Sequence, residues 1–193
     1  MEAIFTLSYP EYTVAITFQN YFKKGDGYSV HIPLSRQQKG IDLLLYNQNT
    51  KKAVSLQIKS SRTWYQKPPR WKKAKERFQY AAWFRNFRYE KGIADFYALF
   101  ILYPKEQFGK KRLDKAKRQK KWWNSKVLIF NDSEMHTLLR KIKTKEGKAE
   151  SFFYVGFNEN TNDIFITRGF PNPLQCKDKL LENKIREIKR RLK

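Results

Sequence analysis

The chain has 193 residues, of which 41 are Lys or Arg and 18 are Asp or Glu, giving a net charge of +23. Such a charge repels itself and favours a polyanionic partner, nucleic acid above an anionic membrane, although a ribosomal-type or merely basic protein is the alternative. The single cysteine and two histidines exclude an internal disulfide and a zinc site built on cysteines or histidines. Any metal must therefore be bound by oxygen ligands, which favours Mg²⁺. We expect Mn²⁺ to substitute for it.

The length suits one domain over 1–193, with a catalytic core at 1–104 and a C-terminal extension of the same domain at 105–193. No apolar run reaches the roughly 18 residues of a membrane span, so we expect no membrane partner. The N-terminal segment lacks the basic and apolar regions of a secretory signal, which predicts a cytoplasmic protein.

The N-terminal third predicts a helix followed by a three-stranded meander. Pro10 suits the first position of a helix over 10–23. Strands are expected over 28–34, 40–46 and 53–60, and the polar turn between the last two makes them a hairpin. One face of the helix carries an apolar stripe with a carboxylate in line: Val14, Phe18, Tyr21, Phe22 and Glu11.

The middle of the chain alternates between basic and aromatic segments. Segment 61–77 is expected to be a basic loop, because two adjacent prolines exclude a central strand. Segment 78–89 fits an aromatic strand or a short helix. The almost wholly apolar segment 94–104 predicts a buried central strand, and the charged run 105–121 predicts a mobile basic loop or a solvated helix.

The C-terminal half predicts further strands and two helices. A strand over 126–130 precedes a helix over 133–143, for which Asp132 or Ser133 is the expected cap. Segments 151–157 and 163–168 form an expected hairpin. A helix over 177–192 carries the stripe Leu180, Leu181, Ile185, Ile188 and Leu192. The order of elements predicts an α/β fold with a mixed central sheet flanked by helices, and extra strands in the C-terminal half.

The hairpin of the second and third strands carries an acid, an amide and an amine at positions that alternation places on one face. Asp42 lies on the second strand, and Gln57 and Lys59 lie on the third. A carboxylate can hold a metal that polarises a phosphate and lowers the pKa of a bound water. A neighbouring lysine can orient that water or stabilise the developing charge. The pattern thus favours metal-assisted phosphodiester cleavage.

The stretch from Glu11 to Arg62 resembles the core of the PD-(D/E)XK nuclease superfamily, which includes restriction endonucleases and Holliday-junction resolvases. The family pattern is an acid on the first helix, an aspartate on the second strand, and (D/E)-x-K on the third. Glu11, Asp42 and the run Gln57-Ile58-Lys59 match it in order and spacing. Gln57 replaces the usual acid, as it does in some active members of the family.

The resemblance implies a restriction-endonuclease-like core that cleaves DNA with Mg²⁺, held by Asp42, Gln57 and Glu11. It also implies that these three residues and Lys59 are catalytic. A type II restriction endonuclease, acting on double-stranded DNA as a homodimer, is the first expectation. A junction resolvase or transposon-end nuclease is one alternative, and a non-cleaving DNA-binding protein with a decayed site is another.

Recognition of the base sequence is expected mainly outside this core, because the core's polar groups are committed to the metal and the scissile phosphate, which every DNA sequence shares. Three basic segments stand out, at 62–77, 105–121 and 177–193. Tryptophans interleave with the first segment and close the second. These tryptophans either stack on bases or are buried in the core. The residues predicted to contact DNA are Ser60, Arg62, Arg70, Lys72, Lys73, Arg85, Asn86, Arg88 and Arg168.

Overall fold

A computed structural model describes residues 9–33, 40–65, 78–85, 87–104, 123–142, 152–159, 163–167 and 173–193. Within these ranges lie three α-helices and two five-stranded sheets. The helices are α1 (Tyr9–Tyr21), α2 (Asp132–Lys141) and α3 (Leu181–Arg191). The strands are β1 (Tyr28–His31), β2 (Leu43–Asn47), β3 (Lys52–Arg62), β4 (Trp64–Tyr65), β5 (Tyr80–Phe84), β6 (Phe96–Pro104), β7 (Trp123–Asn131), β8 (Phe153–Phe157), β9 (Ile164–Thr167) and β10 (Leu174–Gln175).

The first sheet has the order β1-β2-β3-β6-β7 and is mixed. Strands β3 and β6 run parallel, whereas the other neighbouring pairs are antiparallel. The predicted helix, three-stranded meander and hairpin turn are all present, and so is the predicted α/β class with a mixed sheet. A turn at 48–51 closes the β2–β3 hairpin.

Strand β6 is the centre of the structure, because every one of its nine residues is buried. Its side chains alternate between two cores, one on each face of the first sheet. Phe96, Ala98 and Phe100 join the core on one face, and Tyr97 and Leu99 join the core on the other. Burial on both faces explains why this segment is apolar almost throughout, as predicted for a central strand.

Helices α1 and α3 cover one face of the first sheet, and the second sheet and α2 cover the other. The first layer buries Val14, Phe18 and Phe22 of the predicted stripe. Tyr21 was expected on that stripe but is 39% exposed, because α1 ends there and the chain turns to bring Phe22 into the core. The predicted stripe of the C-terminal helix is buried throughout.

The second sheet has the order β10-β9-β8-β5-β4 and is antiparallel. The chain passes from one sheet to the other at Thr63, which separates β3 from β4 and whose hydroxyl binds the backbone of Ala81 on β5. Segment 78–89 therefore contains a strand, and the expected loop at 61–77 already holds the end of β3 and all of β4. The predicted β8–β9 hairpin is confirmed.

Helix α2 begins with a cap that differs from the expected one. Asn131, rather than Asp132 or Ser133, accepts a hydrogen bond from the backbone N–H of Glu134 at 2.9 Å, and the Glu134 carboxylate accepts from Asn131 N–H in return. This reciprocal arrangement is a capping box, which satisfies two backbone donors at once. Across the described part of the chain, no helix has the length and apolar character that a membrane crossing requires.

Candidate active site

Asp42 was expected on the second strand but lies one residue before β2, where the ladder with β3 has ended. The ladder pairs Leu43 with Leu56, yet the Asp42 backbone N–H also donates to Leu56 O, at 2.8 Å. Here the Asp42 carboxylate accepts from the backbone N–H of Ile58 at 2.5 Å. Asp42 is thus anchored to the backbone on both sides of Gln57.

The electrostatic surroundings of Asp42 connect it to two other residues of the predicted site. Burial raises the pKa of the Asp42 carboxyl, the Ile58 N–H lowers it, the Glu11 carboxylate raises it again, and the Lys59 ammonium lowers it. The net direction is upward, so the folded chain holds this carboxylate at a cost. A carboxyl with a raised pKa, facing both a second acid and a lysine, is typical of functional sites.

Glu11 reaches this position because α1 packs against the first sheet through Val14, Ala15 and Phe18. It lies in the first turn of the helix and is half-buried. The amphipathic stripe of α1 therefore places its one acid near the end of the β2–β3 hairpin. An acid in a helix's first turn also benefits from the helix dipole, so its position alone does not show a role.

Gln57 and Lys59 alternate along β3 with the buried Leu56 and Ile58, which face the helices. Their own half-buried side chains therefore lie on the opposite side of the strand. Gln57 pairs with Tyr97 of β6 in the parallel register, and Lys59 pairs with Leu99. Glu11 and Lys59 both act electrostatically on Asp42, and Gln57 lies between the two residues that bind Asp42. Glu11, on α1, approaches from the face that the helices cover, whereas the side chains of Gln57 and Lys59 lie on the other face, so the structure does not bring the three oxygen ligands to one point.

These residues offer hard oxygen ligands and one ammonium group. Two carboxylates and the amide oxygen of Gln57 are ligand types that suit Mg²⁺. Across the described ranges, no cluster combines three or more His, Cys, Asp or Glu residues. Asp95, two strands away from Asp42, is already bound to Ser55 N at 2.8 Å and to Arg191 at 3.5 Å. The donor set therefore has two acids rather than three, with Gln57 in the third place.

The single cysteine lies away from this site, and its thiol is buried and protonated. Cys176 belongs to the core between the two sheets, and burial raises the pKa of its thiol to about 12. Its thiolate is therefore negligible at neutral pH.

The end of β3 lies against the second sheet. The Ser61 hydroxyl donates to the backbone carbonyl of Trp83 on β5 at 2.7 Å. Ser60 and Arg62 are exposed, and the Arg62 guanidinium lies over the Trp123 ring at 5.6 Å. Ser61 links the strand of the candidate site to Trp83, which is a connection that the order of residues in the chain does not reveal.

The predicted DNA contacts divide into described and undescribed residues. Arg85 and Arg88 are exposed, close after β5. In the C-terminal basic segment, Lys184 is buried and ion-paired with Glu134 at 2.6 Å, so this lysine is not available to a phosphate. The predicted contacts that lie outside the described residues are Arg70, Lys72, Lys73, Asn86 and Arg168.

Comparison of the chain with protein-family models, curated proteins and solved structures finds no match.

Proposed function

We propose that this protein is a metal-dependent DNA endonuclease with its active site at the start of β2 and the middle of β3. The observation that supports this best is the setting of Asp42. A half-buried carboxylate is fixed to the backbone of β3, its pKa is raised, and Glu11 and Lys59 both act on it electrostatically. Repulsion between two carboxylates lowers the stability of the fold, whereas the same two carboxylates together would bind a divalent cation.

The donor set fits Mg²⁺, which Asp42, Glu11 and the Gln57 amide oxygen would hold. When bound, the ion would polarise a phosphate and lower the pKa of a water molecule. The chain's own contribution is positioning: the Ile58 N–H holds the Asp42 carboxylate in place. The Lys59 ammonium is placed to stabilise charge that develops on the phosphate. The net charge of +23 supports a polyanionic substrate.

Cleavage of supercoiled plasmid in Mg²⁺, with EDTA as the blank, tests the proposal. We expect Asp42→Asn to abolish cleavage and Lys59→Ala to lower its rate by at least about 100-fold. Lys52→Ala is the matched control, because it removes an exposed lysine at the other end of the same strand. Wild-type rates for Asp42→Asn, or equal losses for Lys59→Ala and Lys52→Ala, would contradict the proposal.

The role of Gln57 has its own test. Gln57→Glu should retain cleavage and tighten Mg²⁺ binding, because it adds the negative charge that most members of the resembled family carry there. Gln57→Ala should lose activity. A dead glutamate variant beside an active alanine variant would remove Gln57 from the proposed metal site.

The products of the same assay define the substrate. Discrete fragments from linear DNA indicate a type II restriction endonuclease, which we propose to act as a homodimer on double-stranded DNA. Cutting confined to branched DNA indicates a resolvase or a transposon-end nuclease. Salt-sensitive DNA binding without cleavage indicates the non-catalytic alternative. The site has two acids rather than three among the described residues, which is the observation that supports this alternative.

A further inference from the structure

Trp83 presents a large aromatic ring on the outer face of the second sheet. Alternation along β5 sends Tyr80, Ala82 and Phe84 into the core between the sheets, so Trp83 points away from it and is 37% exposed. Its ring contacts Tyr154 at 4.6 Å and Phe152 at 5.7 Å, and these three residues form what we term the outer aromatic cluster. The neighbours hold the indole in place while leaving part of it open.

The other end of the same face is closed. Phe78 lies over Gly156, where an added Cβ would come within 2.4 Å of its ring, and it also contacts Phe165 at 5.6 Å. Both Phe78 and Phe165 are half-buried. Among the described residues of this face, the exposed aromatic ring is therefore that of Trp83, at the end next to β3.

The outer aromatic cluster is joined to the candidate active site through the backbone. The Trp83 carbonyl accepts from the Ser61 hydroxyl at 2.7 Å. Ser61 lies two residues after Lys59, or roughly 7 Å along a strand. The backbone of Trp83 is thus tied to the strand that carries Lys59, two residues from it.

The charge around the cluster complements a nucleic-acid strand. Arg62, Arg85 and Arg88 are exposed near the ends of β3 and β5. The segment from Arg77 to Tyr89 contains no Asp or Glu. Exposed aromatic rings among cations are the elements with which proteins bind single strands, because the ring stacks on a base while the cations hold phosphates. In an intact duplex the faces of the bases are already stacked on each other.

We infer that Trp83 stacks on an unpaired base of the DNA strand that the candidate active site holds, so that the substrate contains a single-stranded segment beside the cut. This inference rests on the proposed function and narrows its substrate. Of the substrates considered above, it favours branched and transposon-end DNA, and it counts against a restriction endonuclease that acts on an uninterrupted duplex. The Ser61–Trp83 hydrogen bond joins the strand that carries Trp83 to the strand that carries Lys59.

Binding measured without metal tests the inference separately from cleavage. We compare a fluorescently labelled twelve-nucleotide oligothymidylate with a duplex of equal length, in EDTA at one fixed salt concentration. Trp83→Ala should weaken binding of the oligothymidylate by about tenfold and leave duplex binding within about twofold. Trp83→Phe, which keeps an aromatic ring, should restore most of the affinity. Tyr12→Ala is the control, because Tyr12 is an aromatic residue on α1 that is 48% exposed.

Several outcomes would overturn the inference. Equal losses on both DNAs would make Trp83 a general contact, and no loss on either would remove it from binding. An equal loss for Tyr12→Ala would show a nonspecific effect. A change from dimer to monomer in light scattering of Trp83→Ala would make the outer face an interface between copies of the chain. If Asp42→Asn still cleaves while Trp83→Ala loses only single-strand binding, the proposed active site fails, and what stands is stacking of an unpaired base on Trp83 without a link to that site.

Discussion

Asp42 and Lys184 are both charged side chains withdrawn from solvent, but their surroundings differ. The Lys184 ammonium binds Glu134 at 2.6 and 2.8 Å and Glu187 at 2.6 Å. Glu134 also binds Lys179 at 2.9 Å, and Glu187 accepts from Asn131 at 2.7 Å. We call these five residues the lysine network. It joins α3 to the start of α2, and its charges compensate one another.

The pKa values of the acids move in opposite directions at the two places. Burial alone would raise the pKa of Glu134, but hydrogen bonds from Lys184 and Lys179 outweigh it and lower that pKa. The pKa of Glu187 is lowered for the same reason, against the effect of burial, by Lys184 and Asn131. Burial and Glu11 leave the pKa of Asp42 raised. The lysine network therefore stabilises the fold, while the candidate active site costs stability, as functional sites often do.

Removing the centre of the lysine network should have the largest effect on stability. Lys184→Ala leaves two carboxylates without their main partner, and we expect unfolding to become easier by about 3 kcal/mol. Urea denaturation followed by circular dichroism measures this. Arg186→Ala, an exposed position on the same helix, is the control and should change stability by less than about 0.5 kcal/mol. Similar small losses for both variants would contradict a stabilising role for the network.

Acid should remove the stability that the lysine network contributes to the fold. The pKa values of Glu134 and Glu187 are lowered in the fold from 4.5, so their contribution is present above that value and is lost as pH falls through the folded pKa. The difference in stability between the wild type and Lys184→Ala should therefore shrink between neutral pH and about pH 3. A difference that stays constant would show that packing of the lysine's stem, not charge, sets the effect.

The capping box at α2 should contribute a smaller amount. Asn131→Ala removes the cap of the helix and the hydrogen bond to Glu187, and we expect a loss of about 1–2 kcal/mol. Ser133→Ala should cost less than about 0.5 kcal/mol, because Ser133 is exposed and Asn131 is the cap. The same urea titration measures both variants. A larger loss for Ser133→Ala would contradict the observed cap.

These two regions also differ in how far the sequence could predict them. The strands of the candidate active site follow from local alternation and from a turn, so the meander and the positions of Asp42, Gln57 and Lys59 were accessible. The place where the ladder ends was not, because alternation along a segment does not show where its pairing stops, and Asp42 lies one residue before β2. The split into two sheets depends on pairings distant in sequence and on a corner at Thr63 with a two-residue strand after it, which carries no periodic signal.

The lysine network was missed because lysines are rarely buried and their partners here are distant in sequence. Lys184 meets Glu187 on its own helix but Glu134 fifty residues away. A local signal for the cap did exist. Asn131 stands three residues before Glu134, the spacing of a capping box, and that spacing favours Asn131 over Asp132 and Ser133.

Asp42→Asn should have the smallest effect on stability, and it should stabilise the fold, whereas most substitutions destabilise it. Asp42→Asn keeps an oxygen that can accept from Ile58 N–H but removes a charge that burial and Glu11 disfavour. We expect it to raise the free energy of unfolding near neutral pH by about 0.5–1 kcal/mol in EDTA. Thermal unfolding monitored by calorimetry measures the change. Asp26→Asn, which alters an exposed acid beside β1, is the control and should leave stability unchanged within error.

The pH dependence of this gain gives the sharpest test of the comparison. Because the pKa of Asp42 is raised in the fold, protonation stabilises the native state, and this contribution is lost as pH rises through the folded pKa. The stability gained by Asp42→Asn should therefore be absent at about pH 3 and grow as pH increases, whereas the stability lost by Lys184→Ala grows over the same range, so the two differences have opposite signs. Mg²⁺ should then stabilise the wild type and not the variant, because a ligand stabilises only the state that binds it. A variant that is less stable than the wild type at neutral pH would mean that the fold compensates this carboxylate. In that case Asp42 would be a structural acid like Glu134, and the main support for an active site at β2 and β3 would be lost.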